Sequence, residues 1–265
     1  MLMTTNLFSL EGKTVAVIGA GSGIGQACAI GAAQQGAYVW CLDINAGQAD
    51  ETSKMITNAG GKAECGVVDI TNETSVNDAI VEAASTNNRL DGVVCTPAIN
   101  VRKPILKYSG DEFDRVVHVN LRGNFNVLRS AGALMVPQGF GSIVLFSSIR
   151  SIVTEPGQSV YSMTKAGILQ LVKTAATEWG TTGVRVNAVG PGVIETPLTA
   201  PIKQNPEWYK AYAMKNPMNR WAQASEMAGP TVFLLSDAAS YVTGTILYAD
   251  GGWLAADGRF TPPGM

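Results

Sequence analysis

The run Thr14-Val-Ala-Val-Ile18, followed at once by Gly19-Ala-Gly-Ser-Gly-Ile-Gly25, leaves this chain few folds to choose from. The apolar residues read as a short buried strand, the glycines as a tight turn, and the Ala-rich stretch that follows as a helix. Glycine has no Cβ, so such a turn lets the backbone come close to a diphosphate, and the free N–H groups at the helix start attract its negative charge. The spacing is Gly-x-x-x-Gly-x-Gly rather than Gly-x-Gly-x-x-Gly, because Ile24 falls where the third glycine would stand. The next strand, Tyr38-Val-Trp-Cys-Leu42, ends at Asp43. There a carboxylate can accept hydrogen bonds from a ribose 2′- and 3′-hydroxyl pair, and it would repel a 2′-phosphate. The plainer reading of the same residues is a glycine-rich turn with a strand-end Asp that caps a helix.

The rest of the chain repeats this alternation. Apolar runs at 14–18, 38–42, 65–68, 92–95, 142–146, 184–189 and 245–248 are separated by longer helical patterns. They predict an α/β fold, a Rossmann-type doubly wound parallel sheet of about seven strands with helices on both faces. A chain of 265 residues, 46% hydrophobic and 15% charged, suits a single dinucleotide-binding and catalytic domain over 1–265 with well-buried strands. One segment, 196–224, breaks the rhythm with prolines and with Trp208, Tyr209, Tyr212 and Trp221. It follows a strand's carboxyl end, where ligands of such sheets sit, and is therefore expected to be a small substrate lid; an oligomer contact or a packed surface helix pair is the alternative.

Composition narrows the partners. The net charge of −2 and the lack of a basic block exclude nucleic acid. No signal pattern or apolar run of membrane-spanning length is apparent, so neither membrane association nor export is expected and a cytoplasmic location is. Cys28, Cys41, Cys65 and Cys95 have no C-x-x-C spacing and His118 is the single histidine, so the cysteines read as reduced core residues and no metal is expected.

A second motif carries chemistry. Tyr161-Ser-Met-Thr-Lys165 places a phenol and an ammonium ion on one face of a helix at i,i+4. The ammonium can lower the phenol's pKa from its reference near ~10. Ser148, upstream, offers a hydroxyl that donates or accepts, which suits an oxygen alternating between alcohol and ketone. The same Tyr/Lys spacing is common on solvated helices.

Together these residues resemble a classical short-chain dehydrogenase/reductase, over residues 8 to 253. By that resemblance Gly19, Gly21, Ser22, Gly23, Ile24 and Gly25 form the glycine motif, with Ile18 where Thr is usual. Asp69 and Ile70 would contact the adenine side, and Pro191, Gly192, Ile194 and Thr196 the nicotinamide and its carboxamide. Asn120, Ser148, Tyr161 and Lys165 match the catalytic tetrad: Asn120 holds a water of the proton relay, and Lys165 also bonds the nicotinamide ribose. The family usually carries Asn-Asn-Ala-Gly after the fourth strand, whereas Cys95-Thr-Pro-Ala98 stands here. Thr96 can supply one hydrogen bond, Pro97 removes a backbone donor, and Ala98, expected to line the cofactor site, adds a methyl group.

The activity implied is reversible hydride transfer between NAD(H) and a secondary alcohol or ketone. Asp43, with no Arg at Ser22 or Ile44, favours NAD over NADP. A sugar, polyol or sugar acid is the expected small-molecule substrate, with Arg150, Glu155 and Gln158 at the pocket rim. Arg150 is read either as a clamp for a substrate carboxylate or phosphate or as a surface Arg paired with Glu155, and His118 as a packed or interface residue. The alternatives are a reductase of 3-oxoacyl thioesters or of a cyclic ketone, and a cofactor-binding regulator without catalysis. The resemblance also implies a homotetramer, in which residues 254–265, with Phe260, are expected to pack on another subunit near its active-site entrance.

Overall fold

The computed structural model describes residues 6–256. Strand β1 (Thr14–Ile18) is followed by α1 (Gly23–Gln34), β2 (Tyr38–Asp43), α2 (Ala46–Asn58), β3 (Lys62–Val67), α3 (Glu73–Ser85) and β4 (Gly92–Cys95). A helical run over 110–138 comes next, made of α4 (Gly110–Val117), a π turn (His118–Gly123) and α5 (Asn124–Gln138). Then come β5 (Gly141–Phe146), α6 (Ser159–Trp179), β6 (Val184–Pro191), β7 (Ile194–Glu195), α7 (Ala200–Lys203), α8 (Pro206–Ala213), β8 (Ala222–Gln223), α9 (Ala228–Leu235) and β9 (Ile246–Ala249). Seven strands form one sheet in the order β3-β2-β1-β4-β5-β6-β9, and its paired registers are all parallel. This is the doubly wound sheet expected from the sequence. Among the described residues no helix is long and apolar enough to cross a membrane.

Two cores flank the sheet, and each strand feeds both because successive side chains point to opposite faces. Ala16 and Ile18 pack with Val127, Met135 and Ile168 on one face, whereas Val15 and Val17 pack with Cys28, Ile56 and Leu234 on the other. Strand β3 begins earlier than the apolar run at 65–68 suggests. It is an edge strand whose Lys62 and Glu64 face solvent, so its first half carries no hydrophobic signal.

The 196–224 segment is closed at its base by β7 and β8, which pair in parallel through Ile194↔Ala222 and Glu195↔Gln223. It has a small core of its own with Ile149, Ile202, Tyr212, Trp221 and Trp253. Tyr209 stacks on Trp221 with ring centroids 4.9 Å apart, and the Trp221 indole N–H donates to the Tyr209 carbonyl at 2.9 Å. Burying each of these large rings contributes on the order of 2 kcal/mol. The expectation for residues 254–265 falls mainly on 257–265, which lie outside the described residues.

The turn from β1 into α1 is set by glycine. Gly19 has φ +85°, and a Cβ there would meet the Thr96 hydroxyl at 2.4 Å; a Cβ on Gly25 would lie 2.0 Å from the Gly19 carbonyl oxygen. Gly25→Ala is therefore expected to cost about 1–3 kcal/mol and to lower Tm by roughly 3 °C or more in a thermal melt. Gly110→Ala, at a helix start where a Cβ meets nothing within 4 Å, should leave Tm unchanged or raise it. Equal melts for the two variants would show that the turn has slack.

Candidate active site

A cavity of about 620 Å³ runs along the carboxyl edge of the sheet beyond β1, β2 and β4. Gly19, Ser22, Gly23, Ile24, Gly25, Asp43, Asp69, Ile70, Ala98 and Thr196, all singled out in the sequence, line it together. Gly21 lies beneath, where its N–H donates to Asp43 Oδ2 at 2.9 Å. Asp43 Oδ1 accepts from the Asn45 N–H at 2.9 Å, so backbone groups fix the carboxylate in direction. Asp69 is turned by the Thr71 N–H and hydroxyl, both donating to its Oδ1. Pro191 and Ile194 are buried at the ends of β6 and β7, and Gly192 borders a neighbouring cavity.

These residues fit a dinucleotide. Helix α1 starts at Gly23 with no side-chain cap, whereas α2, α3 and α4 are capped by Asn45, Asn72 and Ser109. Its first N–H groups thus face the cavity without an internal partner, which is the arrangement a diphosphate needs. In the unusual Thr96-Pro97-Ala98 segment, Thr96 supplies the expected single bond, its hydroxyl donating to the Ile18 carbonyl at 3.1 Å.

A second cavity of about 500 Å³ adjoins the first across Leu198, which lines both. Ser148 and Tyr161 form part of its wall, with the Ser148 hydroxyl close enough to act on the Tyr161 phenol. Ser148 sits at the end of β5, and its Oγ accepts from the Arg150 N–H at 3.1 Å. Lys165 is one helical turn beyond Tyr161 on α6, with Nζ 5.6 Å from the tyrosine ring centroid and donating to the Phe146 carbonyl at 2.7 Å. Ser147 ties the same two elements, its hydroxyl donating to the Lys165 carbonyl at 2.8 Å.

Asn120 lies in the π turn, fully buried. Its amide exchanges two 2.9 Å hydrogen bonds with the backbone of Ile99, one each way, and donates to Thr164 Oγ1 at 3.1 Å. Thr164 in turn donates to the Tyr161 carbonyl at 2.8 Å. The wider π turn brings Asn120 to Ile99 and Thr164 together, consistent with π turns clustering at functional sites.

Burial dominates the electrostatics. It pushes the Tyr161 phenol up from its ordinary value, opposed by the Ser148 hydrogen bond and by the charges of Arg150 and Arg102. It pushes Lys165 down to about 8. The sequence suggests the lysine as the group that lowers the phenol's pKa; in the structure the arginines act in that direction, while the ammonium is committed to Phe146.

The family model described as enoyl-(acyl carrier protein) reductase matches residues 19–254. The chain belongs to the short-chain dehydrogenase/reductase family. It is 36% identical to the 3-oxoacyl-[acyl-carrier-protein] reductase of Thermotoga maritima, over 92% of this chain and 98% of that one. It is 33% identical to the gluconate 5-dehydrogenase of Gluconobacter oxydans, over 93% and 96%. The crystal structure of a gluconate 5-dehydrogenase from Burkholderia cenocepacia, in complex with NADP and tartrate, superposes with a TM-score of 0.91 at 30% identity, covering 94% of this chain and 98% of that one. The chain is thus an oxidoreductase that works with a nicotinamide cofactor.

Within this short-chain dehydrogenase/reductase, the second cavity holds residues that the sequence did not single out, among them Asn100, Arg102, Ile202 and Val193. Arg102 and Asn100 lie on the loop after β4, where nothing in their spacing marks a site. Arg150 is paired with Glu155 at 2.7 Å, yet it is not a surface residue: only 6% of it is exposed, and it lines the cavity. His118 is exposed rather than packed within the protein.

A proton lost from the Tyr161–Lys165 pair yields the form that can accept one from an alcohol. Because burial lowers Lys165 to about 8, kcat/KM for alcohol oxidation is expected to rise as pH increases through about 8 and to level off above it. A profile that is flat from pH 6 to 9 in steady-state assays would contradict this.

Proposed function

We propose that this chain is an NAD(H)-dependent dehydrogenase of sugar acids and related sugars or polyols. The observation that carries the reading is the pairing, in one cavity, of the Ser148–Tyr161 hydroxyls with the guanidinium groups of Arg102 and Arg150 and the amides of Asn100 and Gln158. Arginines present forked donors to a carboxylate, and amides exchange hydrogen bonds with several hydroxyls. The gluconate 5-dehydrogenase likenesses support the same substrate class, as does the 34% identity to the 2-dehydro-3-deoxy-D-gluconate 5-dehydrogenase of Pseudoalteromonas atlantica.

In oxidation, Ser148 holds the substrate oxygen, and Tyr161 takes the hydroxyl proton as the carbon gives up hydride. A nicotinamide cofactor held by the glycine-lined cavity would supply the hydride acceptor. Arg102 and Arg150 favour the tyrosinate by their charge, Lys165 shares the proton of the pair, and Asn120, braced against Ile99, holds the relay that returns it to solvent. NAD is favoured over NADP because Asp43, fixed by the Gly21 and Asn45 N–H groups at the end of β2, carries a negative charge that would repel a 2′-phosphate. The segment 196–224 is the substrate lid, since Leu198, Thr199, Ile202, Trp208 and Tyr212 line the cavity from above. A cytoplasmic homotetramer completes the reading, supported by exposed Phe113, Phe125 and Met163 on α4, α5 and α6.

The deciding experiment is a panel of aldonates, neutral sugars, polyols and acetoacetyl thioester with NAD and NADP, followed by absorbance of the reduced cofactor. Turnover confined to the thioester would replace this reading with 3-oxoacyl reduction, the activity named for the T. maritima relative. Two variants test the residues. Tyr161→Phe should lose on the order of 10²-fold or more in kcat while NAD affinity stays within a few-fold; near-normal turnover would remove Tyr161 from the proton path. Asp43→Ala should raise the KM for NAD and narrow the preference against NADP, because hydroxyl contacts and charge repulsion vanish together. A wild-type preference for NADP would overturn the cofactor assignment.

A further inference from the structure

Glu155 does not line the cavity that holds Ser148 and Tyr161, yet four side chains that do line it donate to its carboxylate. Arg102 Nη1 reaches Oε1 at 2.5 Å, and Arg150 Nη2 reaches Oε2 at 2.7 Å. The Gln158 amide and the Tyr212 hydroxyl both donate to Oε1. The four donors come from four segments: the loop after β4, the turn after β5 that carries Ser148, the start of α6 that carries Tyr161, and helix α8. Burial alone would push the Glu155 carboxyl up, but the hydrogen bonds from Tyr212 and Arg102 and the charge of Arg150 outweigh it and hold it below the usual carboxylate range.

Helix α8 meets the body of the protein at a second polar point close by. The Arg102 guanidinium lies over the Trp208 ring, 5.0 Å from its centroid, and that of Arg150 lies over Trp253 at 5.4 Å. Both arginines are thus held between Glu155 on one side and an aromatic face on the other. Each keeps further N–H groups for a ligand, since a guanidinium has five.

We propose that Glu155 is a positioning residue that latches α8 over the pocket through Tyr212 and aims Arg102 and Arg150 at the substrate. This rests on the substrate site assigned above. A buried guanidinium without its carboxylate would be an uncompensated charge free to turn toward solvent, and a helix without the Tyr212 bond loses the polar anchor that ties it to the pocket side, leaving those of Trp208 and Tyr209. The carboxylate contacts neither Ser148 nor Tyr161 and reaches the proton only through the charges of the two arginines, so its main effect is on how well substrate binds.

Tyr212→Phe is the cleanest test, because it deletes one hydroxyl and leaves the ring in its aromatic cluster. It should raise the substrate KM about tenfold, the worth of a hydrogen bond to a charged group, with kcat falling less than twofold and NAD affinity unchanged. In the absence of substrate, trypsin should cut faster at Lys203, Lys210 and Lys215, all exposed on the lid. Glu155→Gln should raise KM further, and the double variant Glu155→Gln/Tyr212→Phe should be no worse than Glu155→Gln alone, because both changes break one latch. Tryptic rates that match the wild type in Tyr212→Phe, or effects of the two substitutions that multiply in the double variant, would overturn the proposal. The proteolysis arm needs no substrate, so a failure of the sugar-acid reading shows only in the turnover panel, and a failure of the latch shows here. Should Glu155→Gln not fold, Tyr212→Phe decides alone.

Discussion

No atom can be added to Gly25 without meeting the carbonyl oxygen of Gly19, and the rest of the molecule depends on that contact. It lets β1 pass into α1 through the tight turn 19–22, so the helix start lies close to the sheet edge. Since the strands run parallel, the ends of β2 and β4 reach the same edge, and Asp43 and Thr96 join one cavity with the glycines. Gly21 extends the constraint: its N–H grips the Asp43 carboxylate, and a Cβ there would meet that carboxylate at 2.8 Å. The turn and the acidic side chain behind the proposed cofactor preference are one packing unit.

Around Tyr161 the protein sets burial against charge. Burial favours the neutral phenol and the neutral amine: it pushes Tyr161 above its ordinary value and Lys165 down to about 8, so the order of proton affinity that the two groups have in water is reversed. The buried pair as a whole therefore gives up a proton more readily than the phenol alone would. The surrounding polar groups keep the geometry fixed while this happens: Ser147 joins β5 to the Lys165 carbonyl, and Thr164 joins the π turn to the Tyr161 carbonyl. Positional order comes from neutral hydrogen bonds, and the charges are left few.

The sheet and the glycine-lined cavity at its edge were legible because short apolar runs and glycine spacing are local signals. Strand β3 was half hidden, since an edge strand with Lys62 and Glu64 toward solvent needs no apolar face. The two-residue pair β7–β8 left no trace, because its partners stand far apart in the chain and each is too short to have a period. Tyr161, Lys165 and Ser148 could be found from sequence, as their chemistry is concentrated in two short stretches. Asn100 and Arg102 could not, because an arginine on a loop looks like any solvated arginine until folding sets it beside Arg150 and Glu155. The direction of the electrostatics was hidden for the same reason: the lysine's engagement with Phe146 is a contact between helix and strand that no spacing encodes.

The π turn at His118–Gly123 has a meaning beyond the place it gives Asn120. A π turn is an α-helix carrying one residue more than its ladder of hydrogen bonds needs. Removing a single residue from 118–123 would let the run from α4 to α5 close into uninterrupted α-helix, a gain in backbone regularity. Because the wide turn takes its extra residue within a single turn, the two flanking halves would keep nearly the same rotation, and the loss would fall on the turn itself. Asn120 would then lose the place that sets its amide against Ile99 and Thr164. The helix is held off its own preferred winding by the sheet on one side and Ile99 on the other, so its length is locked to the residue and tolerates substitution far better than deletion.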